Sequence, residues 1–153
     1  MKIIVEKNIP YISGILEKYA EVSYLPYQDI TREAVKDADV LLVRTRTRCD
    51  EALLAGSRCR FIGTATIGTD HIDLEYCKKA GITVKNAPGC NAPAVAQYVL
   101  SAIGHWMKKE YLFTTEGLTI GVVGVGHVGS IVARWARALG FKVLLNDPPL
   151  QRA

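Results

Sequence analysis

Short apolar, β-branched runs alternate with helical patterns almost from the first residue. Ile3-Ile4-Val5 reads as a buried strand, Val22-Ser23-Tyr24 as a second, and Val40-Leu41-Leu42-Val43 as a third that is apolar on both faces. Phe61-Ile62-Gly63-Thr64 and Ile82-Thr83-Val84 continue the series. Between them, Pro10 to Ala20 reads as a helix with Ile12, Ile15, Leu16 and Tyr19 on one face. Thr31 can cap a short helix through Lys36, Glu51 to Ala55 is a helical turn stopped by Gly56, and Leu74 to Ala80 is a helix ended by Gly81. Strands apolar on both faces and separated by helices mean a parallel sheet covered on both sides. The first 85 residues therefore predict a compact doubly wound α/β lobe.

Pro88-Gly89 breaks the pattern. Asn91 is a good N-cap for a long helix from Ala92 to about Glu110, with Pro93 in its first turn, where a missing N–H costs little. A strand over Leu118 to Val123, a helix over Gly126 to Leu139 and a strand over Lys142 to Leu145 follow. The expected organisation is a lobe over 1–90, then a connector helix and one strand–helix–strand unit of a second domain over 91–153.

Composition narrows the function classes. With 49% hydrophobic and 22% charged residues, a buried core is expected and disorder is not. The net charge of +4 is mild and its Lys and Arg are scattered, so nucleic acid is not an expected partner. No apolar run approaches the roughly 20 residues of a membrane span, and the N-terminus lacks a signal-peptide core. Cys49, Cys59, Cys77 and Cys90 form no C-x-x-C pair and read as reduced thiols, which favours the cytoplasm. No metal site is expected.

Gly124-Val125-Gly126-His127-Val128-Gly129 is a G-x-G-x-x-G directly after a strand and at the start of an amphipathic helix. In that context Gly124 permits a tight turn, Gly126 lets the backbone approach a pyrophosphate, and Gly129 lets helix and strand pack closely. His127 and Val128 are expected to offer backbone N–H groups at the helix N-terminus, and His127 has no assigned acid–base role. Asp147, at the end of the next strand, can accept hydrogen bonds from an adenosine ribose and would repel a 2′-phosphate. NAD is therefore the expected cofactor.

With that motif placed, the chain resembles the D-2-hydroxyacid dehydrogenases. The segments that carry the likeness are Val43-Arg44-Thr45, the stretch from Phe61 to Asp73 containing Gly63-Thr64-Ala65-Thr66 and Gly68-Thr69-Asp70-His71, and Ala87-Pro88-Gly89-Cys90-Asn91-Ala92. The glycine turn and Asn146-Asp147-Pro148-Pro149 complete it. The resemblance implies a flavodoxin-like substrate domain followed by the beginning of a Rossmann cofactor domain. It also implies NAD-dependent oxidation of a small phosphorylated hydroxyacid at its 2-hydroxyl by a cytoplasmic homodimer. By position, Thr45 and Thr66 match substrate-binding residues and Asp147 the ribose-binding acid. Thr45 stands where serine is common, and the hydroxyl is retained.

The family's catalytic Arg, Glu and His lie beyond residue 153, so no catalytic residue is expected in this chain, which alone is expected to be inactive. A D-lactate or 3-phosphoglycerate type member of the family, or a non-catalytic NAD-sensing module, are the competing readings.

Arg44, Arg46 and Arg48 recur at period two past the end of a buried strand, where open α/β sheets gather ligands. One of them could hold a phosphate or carboxylate, Arg44 being best placed beside Thr45; the alternative is a solvated strand end. His71 reads as part of a polar loop and His105 as a packed or surface residue.

Overall fold

The computed structural model describes residues 1–151 and divides the chain into two compact units, Met1–Pro88 and Gly89–Ala153. In the first unit five strands form one sheet: β1 (Lys2–Glu6), β2 (Glu21–Leu25), β3 (Val40–Val43), β4 (Phe61–Thr64) and β5 (Thr83–Lys85). Every pairing is parallel and the spatial order is β2-β1-β3-β4-β5. This is the flavodoxin-like order, in which the chain leaves β1 to one side for β2 and returns to the other for β3. The predicted strands appear within one or two residues at each end.

Ile4, Leu41 and Ile62 sit on adjacent strands and are all but inaccessible, and Val35, Leu54 and Cys77 from the covering helices pack on them. The helices are short and begin with side-chain caps. Thr31 accepts from Ala34 N–H at the start of α1 (Arg32–Val35), Asp50 from Leu53 N–H at α2 (Glu51–Leu54), and Asp73 from Tyr76 N–H at α3 (Leu74–Lys79). Each such cap is worth about 1 kcal/mol, which matters for helices that propensity alone would not sustain.

One predicted helix is absent. Residues 10–20 run as consecutive turns. Tyr11 and Gly14 both take positive φ (59° and 83°), which interrupts any helix there. The expected apolar face is split, with Ile12 and Leu16 half-buried while Ile15 and Tyr19 remain exposed. Glu17 instead accepts hydrogen bonds from Gly14 N–H (3.0 Å) and Tyr24 Oη (2.8 Å), which fasten the turns to β2.

The second unit contains α4 (Ala92–Lys109), β6 (Thr119–Val123), α5 (His127–Ala138), β7 (Lys142–Asn146) and a short α6 (Pro148–Gln151). β6 and β7 pair in parallel as a two-stranded sheet. Ala96 of α4, Val122 of β6 and Val132 and Ala133 of α5 form its buried core. Asn91 stands at the N-cap position of α4, as predicted, but its side chain makes no capping bond; Ala92 N–H is satisfied by the Gly89 carbonyl. Val123, Leu144 and Leu145 are exposed, so much of this small sheet's apolar surface is uncovered.

Candidate functional site

In an open parallel sheet ligands bind beyond the carboxyl ends of the strands, at the point where strand order reverses. Here that point lies between β1 and β3, and a pocket of about 340 Å³ lies there, lined by Glu6, Asn8, Arg44, Thr45 and Arg46. Its base is set by a carboxylate. Glu6 closes β1 with only 1% of its surface exposed, and its Oε2 accepts from Arg44 N–H (2.8 Å) and Thr47 Oγ1–H (2.8 Å). Thr47 N–H in turn donates to the Arg44 carbonyl, closing a turn over residues 44–47. The turn leaves Arg44, Thr45 and Arg46 exposed above a buried Thr47.

The three arginines part company. Arg44 Nη1 donates to the Asn8 carbonyl at 3.0 Å, across the mouth of the pocket. The Arg46 guanidinium stacks over the Tyr27 ring, 5.5 Å from its centre. Arg48 pairs with Asp50 at 3.0 Å. Arg44 and Arg46 thus both flank Thr45 at the pocket, and Arg44 is the one bonded to Asn8 of its lining.

Thr66 follows β4, the strand next to β3, and Ala65 N–H donates to the Val43 carbonyl there. Its Oγ1 lies 2.6 Å from Thr64 Oγ1 and 3.1 Å from the Gly68 carbonyl, and Thr64 Oγ1 lies 3.0 Å from His71 Nε2. Burial lowers the pKa of His71 from its ordinary value, against the opposing pull of Asp70 and Glu6. The loop holding His71 is pinned from outside the helix pattern, because Cys49 N–H donates to the His71 carbonyl at 2.8 Å.

Sequence reasoning did not single out Glu6 or Asn8, and read His71 as an ordinary loop residue. The available signal was a lone acid closing the apolar run Ile3-Ile4-Val5 at the end of the sheet where ligands gather.

In the second unit the glycine turn joins β6 to α5. Gly124 takes φ +86°, and a Cβ at Gly124 or Gly126 would meet nothing within 4 Å, so open space stands over this part of the backbone. A Cβ at Gly129 would collide with the Gly124 carbonyl, which is the close strand–helix approach expected of that position. Gly126 is the N-cap of α5 and brings no capping side chain. The N-terminus of a 12-residue helix therefore faces the turn without a side-chain acceptor at its cap, which suits an anion. His127 and Val128 open that helix, and the His127 ring lies against Gly89, where a Cβ would stand 2.9 Å from ring atoms. Asp147 follows β7, and its Oδ2 accepts from Val125 N–H, in the middle of the turn. Residues of this kind fit a dinucleotide: an open backbone for the pyrophosphate and a carboxylate at the end of the second strand.

Residues 3–137 match the family described as D-isomer specific 2-hydroxyacid dehydrogenase, catalytic domain. The chain belongs to this family. It is 56% identical over 150 residues to a protein of Bacteroides fragilis named erythronate-4-phosphate dehydrogenase, which covers 97% of this chain and 43% of that protein. A protein of the same name from Chromohalobacter salexigens is 48% identical over 153 residues, covering 100% of this chain and 40% of its own length. The chain thus spans about two fifths of the length of these curated relatives. Among solved structures, it resembles an NAD-bound 3-phosphoglycerate dehydrogenase from Entamoeba histolytica (TM-score 0.74, 31% identity, 97% of this chain and 54% of that one). It also resembles a D-lactate dehydrogenase from Aquifex aeolicus complexed with NAD and lactic acid (TM-score 0.71, 26% identity, 99% and 54%).

The α/β fold with a parallel sheet, expected from the strand pattern, is that of these dehydrogenases. Among the described residues no group of three or more His, Cys, Asp or Glu could hold a metal, and no helix is long and apolar enough to cross a membrane.

Proposed function

We propose that this chain forms the hydroxyacid-binding unit and the opening half of the NAD-binding unit of an enzyme that oxidises 4-phospho-D-erythronate at its 2-hydroxyl. This is a step toward pyridoxal phosphate, carried out by a cytoplasmic homodimer. The observation that carries the reading is the pocket at the β1/β3 switch point, where Arg44 and Thr45 meet over a buried carboxylate clamp. The names of the relatives supply the particular acid.

In this reading Arg44 binds an anionic group of the substrate, with Thr45 and Thr66 as hydrogen-bonding partners. Gly124, Gly126 and Gly129, with the N–H groups of His127 and Val128, cradle the pyrophosphate, and Asp147 holds the adenosine ribose. When bound, NAD supplies the acceptor for the hydride leaving the hydroxyl-bearing carbon. The Arg, Glu and His that complete such a site belong to the further length its relatives have, so these 153 residues alone are proposed to be inactive. No nucleic acid or membrane partner enters the reading.

The experiment is NADH formation by the complete enzyme, carrying this sequence with the remaining length of its relatives, on 4-phospho-D-erythronate, 3-phosphoglycerate and D-lactate. The proposal expects clear preference for the first. Preference for either other acid assigns the chain to another branch of the family, and NAD binding without turnover of any of them favours a sensing module.

A further inference from the structure

The hydroxyl of Thr66 is one link in a chain of three hydrogen bonds, and counting its hydrogens fixes what it can offer a ligand. His71 Nε2 lies 3.0 Å from Thr64 Oγ1, Thr64 Oγ1 lies 2.6 Å from Thr66 Oγ1, and Thr66 Oγ1 lies 3.1 Å from the Gly68 carbonyl. A carbonyl only accepts, and a hydroxyl has a single hydrogen. If Thr66 gives its hydrogen to Gly68, Thr64 must give its own to Thr66, and His71 must donate Nε2–H to Thr64. All three contacts are then satisfied. The opposite order leaves the Gly68 carbonyl without the Thr66 hydrogen, so it makes one bond fewer. Thr64, with 4% of its surface exposed, keeps both partners in either order, so the bond to the Gly68 carbonyl decides between them. A cationic imidazole and the neutral Nε2–H form both donate at this atom, so the order survives titration of His71.

We propose that His71, acting through Thr64, fixes the Thr66 hydroxyl as a hydrogen-bond acceptor toward the ligand, so that this position reads a hydroxyl of the hydroxyacid and rejects its anionic oxygens. The inference rests on the reading that Thr66 meets substrate. With its hydrogen committed to Gly68 and one lone pair to Thr64, Thr66 has only a lone pair left. A phosphate or carboxylate oxygen, itself an acceptor, is repelled there. On the neighbouring strand end Arg44 can only donate. The two positions therefore orient the substrate, with an anion toward the β3 turn and a hydroxyl toward the end of β4. His71 and Thr64 are positioning residues in this scheme.

The test uses the complete enzyme and two probes: the KM for 4-phospho-D-erythronate, and the inhibition constant of 4-phosphobutyrate, which keeps both anionic groups and lacks both hydroxyls. Thr64→Val and, as a second variant at the less buried end, His71→Leu should each raise KM roughly tenfold, the worth of one such hydrogen bond. The inhibition constant of 4-phosphobutyrate and the KM for NAD should stay unchanged. Thr64→Ser and His71→Gln, which keep the hydroxyl and a donor, should restore KM. A parallel rise of KM and inhibition constant marks a merely structural role and overturns the proposal. If Thr66→Val raises KM while Thr64→Val and His71→Leu do not, the positioning chain is wrong and the substrate site stands. If Thr66→Val leaves KM unchanged, the placement of substrate at Thr66 falls, and the proposal with it.

Discussion

Asp147 accepts a hydrogen bond from the backbone N–H of Val125, tying the end of β7 to the middle of the turn that follows β6. The carboxylate that is proposed to meet the adenosine ribose thus also holds the turn proposed to carry the pyrophosphate. Asp147→Asn keeps an acceptor for Val125 and removes the charge. It should raise the KM for NAD by about tenfold and shrink the preference for NAD over NADP, because the repulsion of a 2′-phosphate goes with the charge. The ratio of kcat/KM for the two cofactors measures this; an unchanged ratio removes Asp147 from cofactor choice.

Gly126 and Gly129 separate binding from stability. A Cβ at Gly126 meets open space, whereas one at Gly129 collides with the Gly124 carbonyl. Gly126→Ala should keep the melting temperature and weaken NAD binding, since the methyl occupies the approach to the backbone. Gly129→Ala should destabilise by about 1–3 kcal/mol through overpacking. Calorimetry and NAD titration on both variants check the contrast, and a stable Gly129→Ala protein would contradict the packing described.

Glu6 holds the 44–47 turn by accepting from Arg44 N–H and Thr47 Oγ1. Glu6→Ala leaves the buried Thr47 hydroxyl without its acceptor, at about 1–3 kcal/mol, and the part-buried Arg44 N–H as well, at a smaller cost. Lower stability and a raised KM for the hydroxyacid are expected together, with the KM for NAD unaffected. Glu6→Gln, which still presents an oxygen, should recover a substantial part of both losses. Equal damage from Gln and Ala would show that the charge, rather than the hydrogen bonds, is what matters at this position.

The cysteines differ in burial and hence in reactivity. Burial pushes the Cys49 thiol up to about 12 and the Cys59 thiol to about 11, and raises Cys77 as well, while Cys90 is exposed. Brief alkylation of the native protein near neutral pH should add one label, on Cys90, as read by mass spectrometry. The linkage has a sign too. The folded thiols bind protons more tightly than the unfolded ones, so their contribution to stability is complete below about pH 9 and is lost as pH rises beyond it. Thermal melts at increasing alkaline pH should show this decline, and a melting temperature that rises there would contradict the burial.

Much of this was legible because the physics is local. Apolar strands such as Val40–Val43, the capping residue Thr31, and the Gly124–Gly129 turn each state their structure within a few residues. The failures were non-local. Pro10–Ala20 carries helical spacing, yet Ile15 and Tyr19 of its apolar face stay exposed, and periodicity cannot report a missing partner. Glu6 acquires its meaning only when β1 lies beside β3 and brings residues 38 and 41 positions away to its carboxylate. His71 reaches Thr64 by the fold of its own loop. A period-two pattern grouped Arg44, Arg46 and Arg48 and favoured Arg44 for its place beside Thr45, but their separate partners appear only in the structure.

In the proposed function the hydroxyacid binds at the β1/β3 switch point and NAD on the β6–α5 turn. A crystal structure of the complete enzyme with NAD and 4-phospho-D-erythronate tests it most directly. The expected complex has an anionic group of the acid on Arg44, with Thr45 and Thr66 within hydrogen-bond distance of the acid, the pyrophosphate over Gly124–Gly129 and the adenosine ribose on Asp147. An acid bound away from residues 44–47 and 66, or a dinucleotide that does not touch the glycine turn, would contradict it.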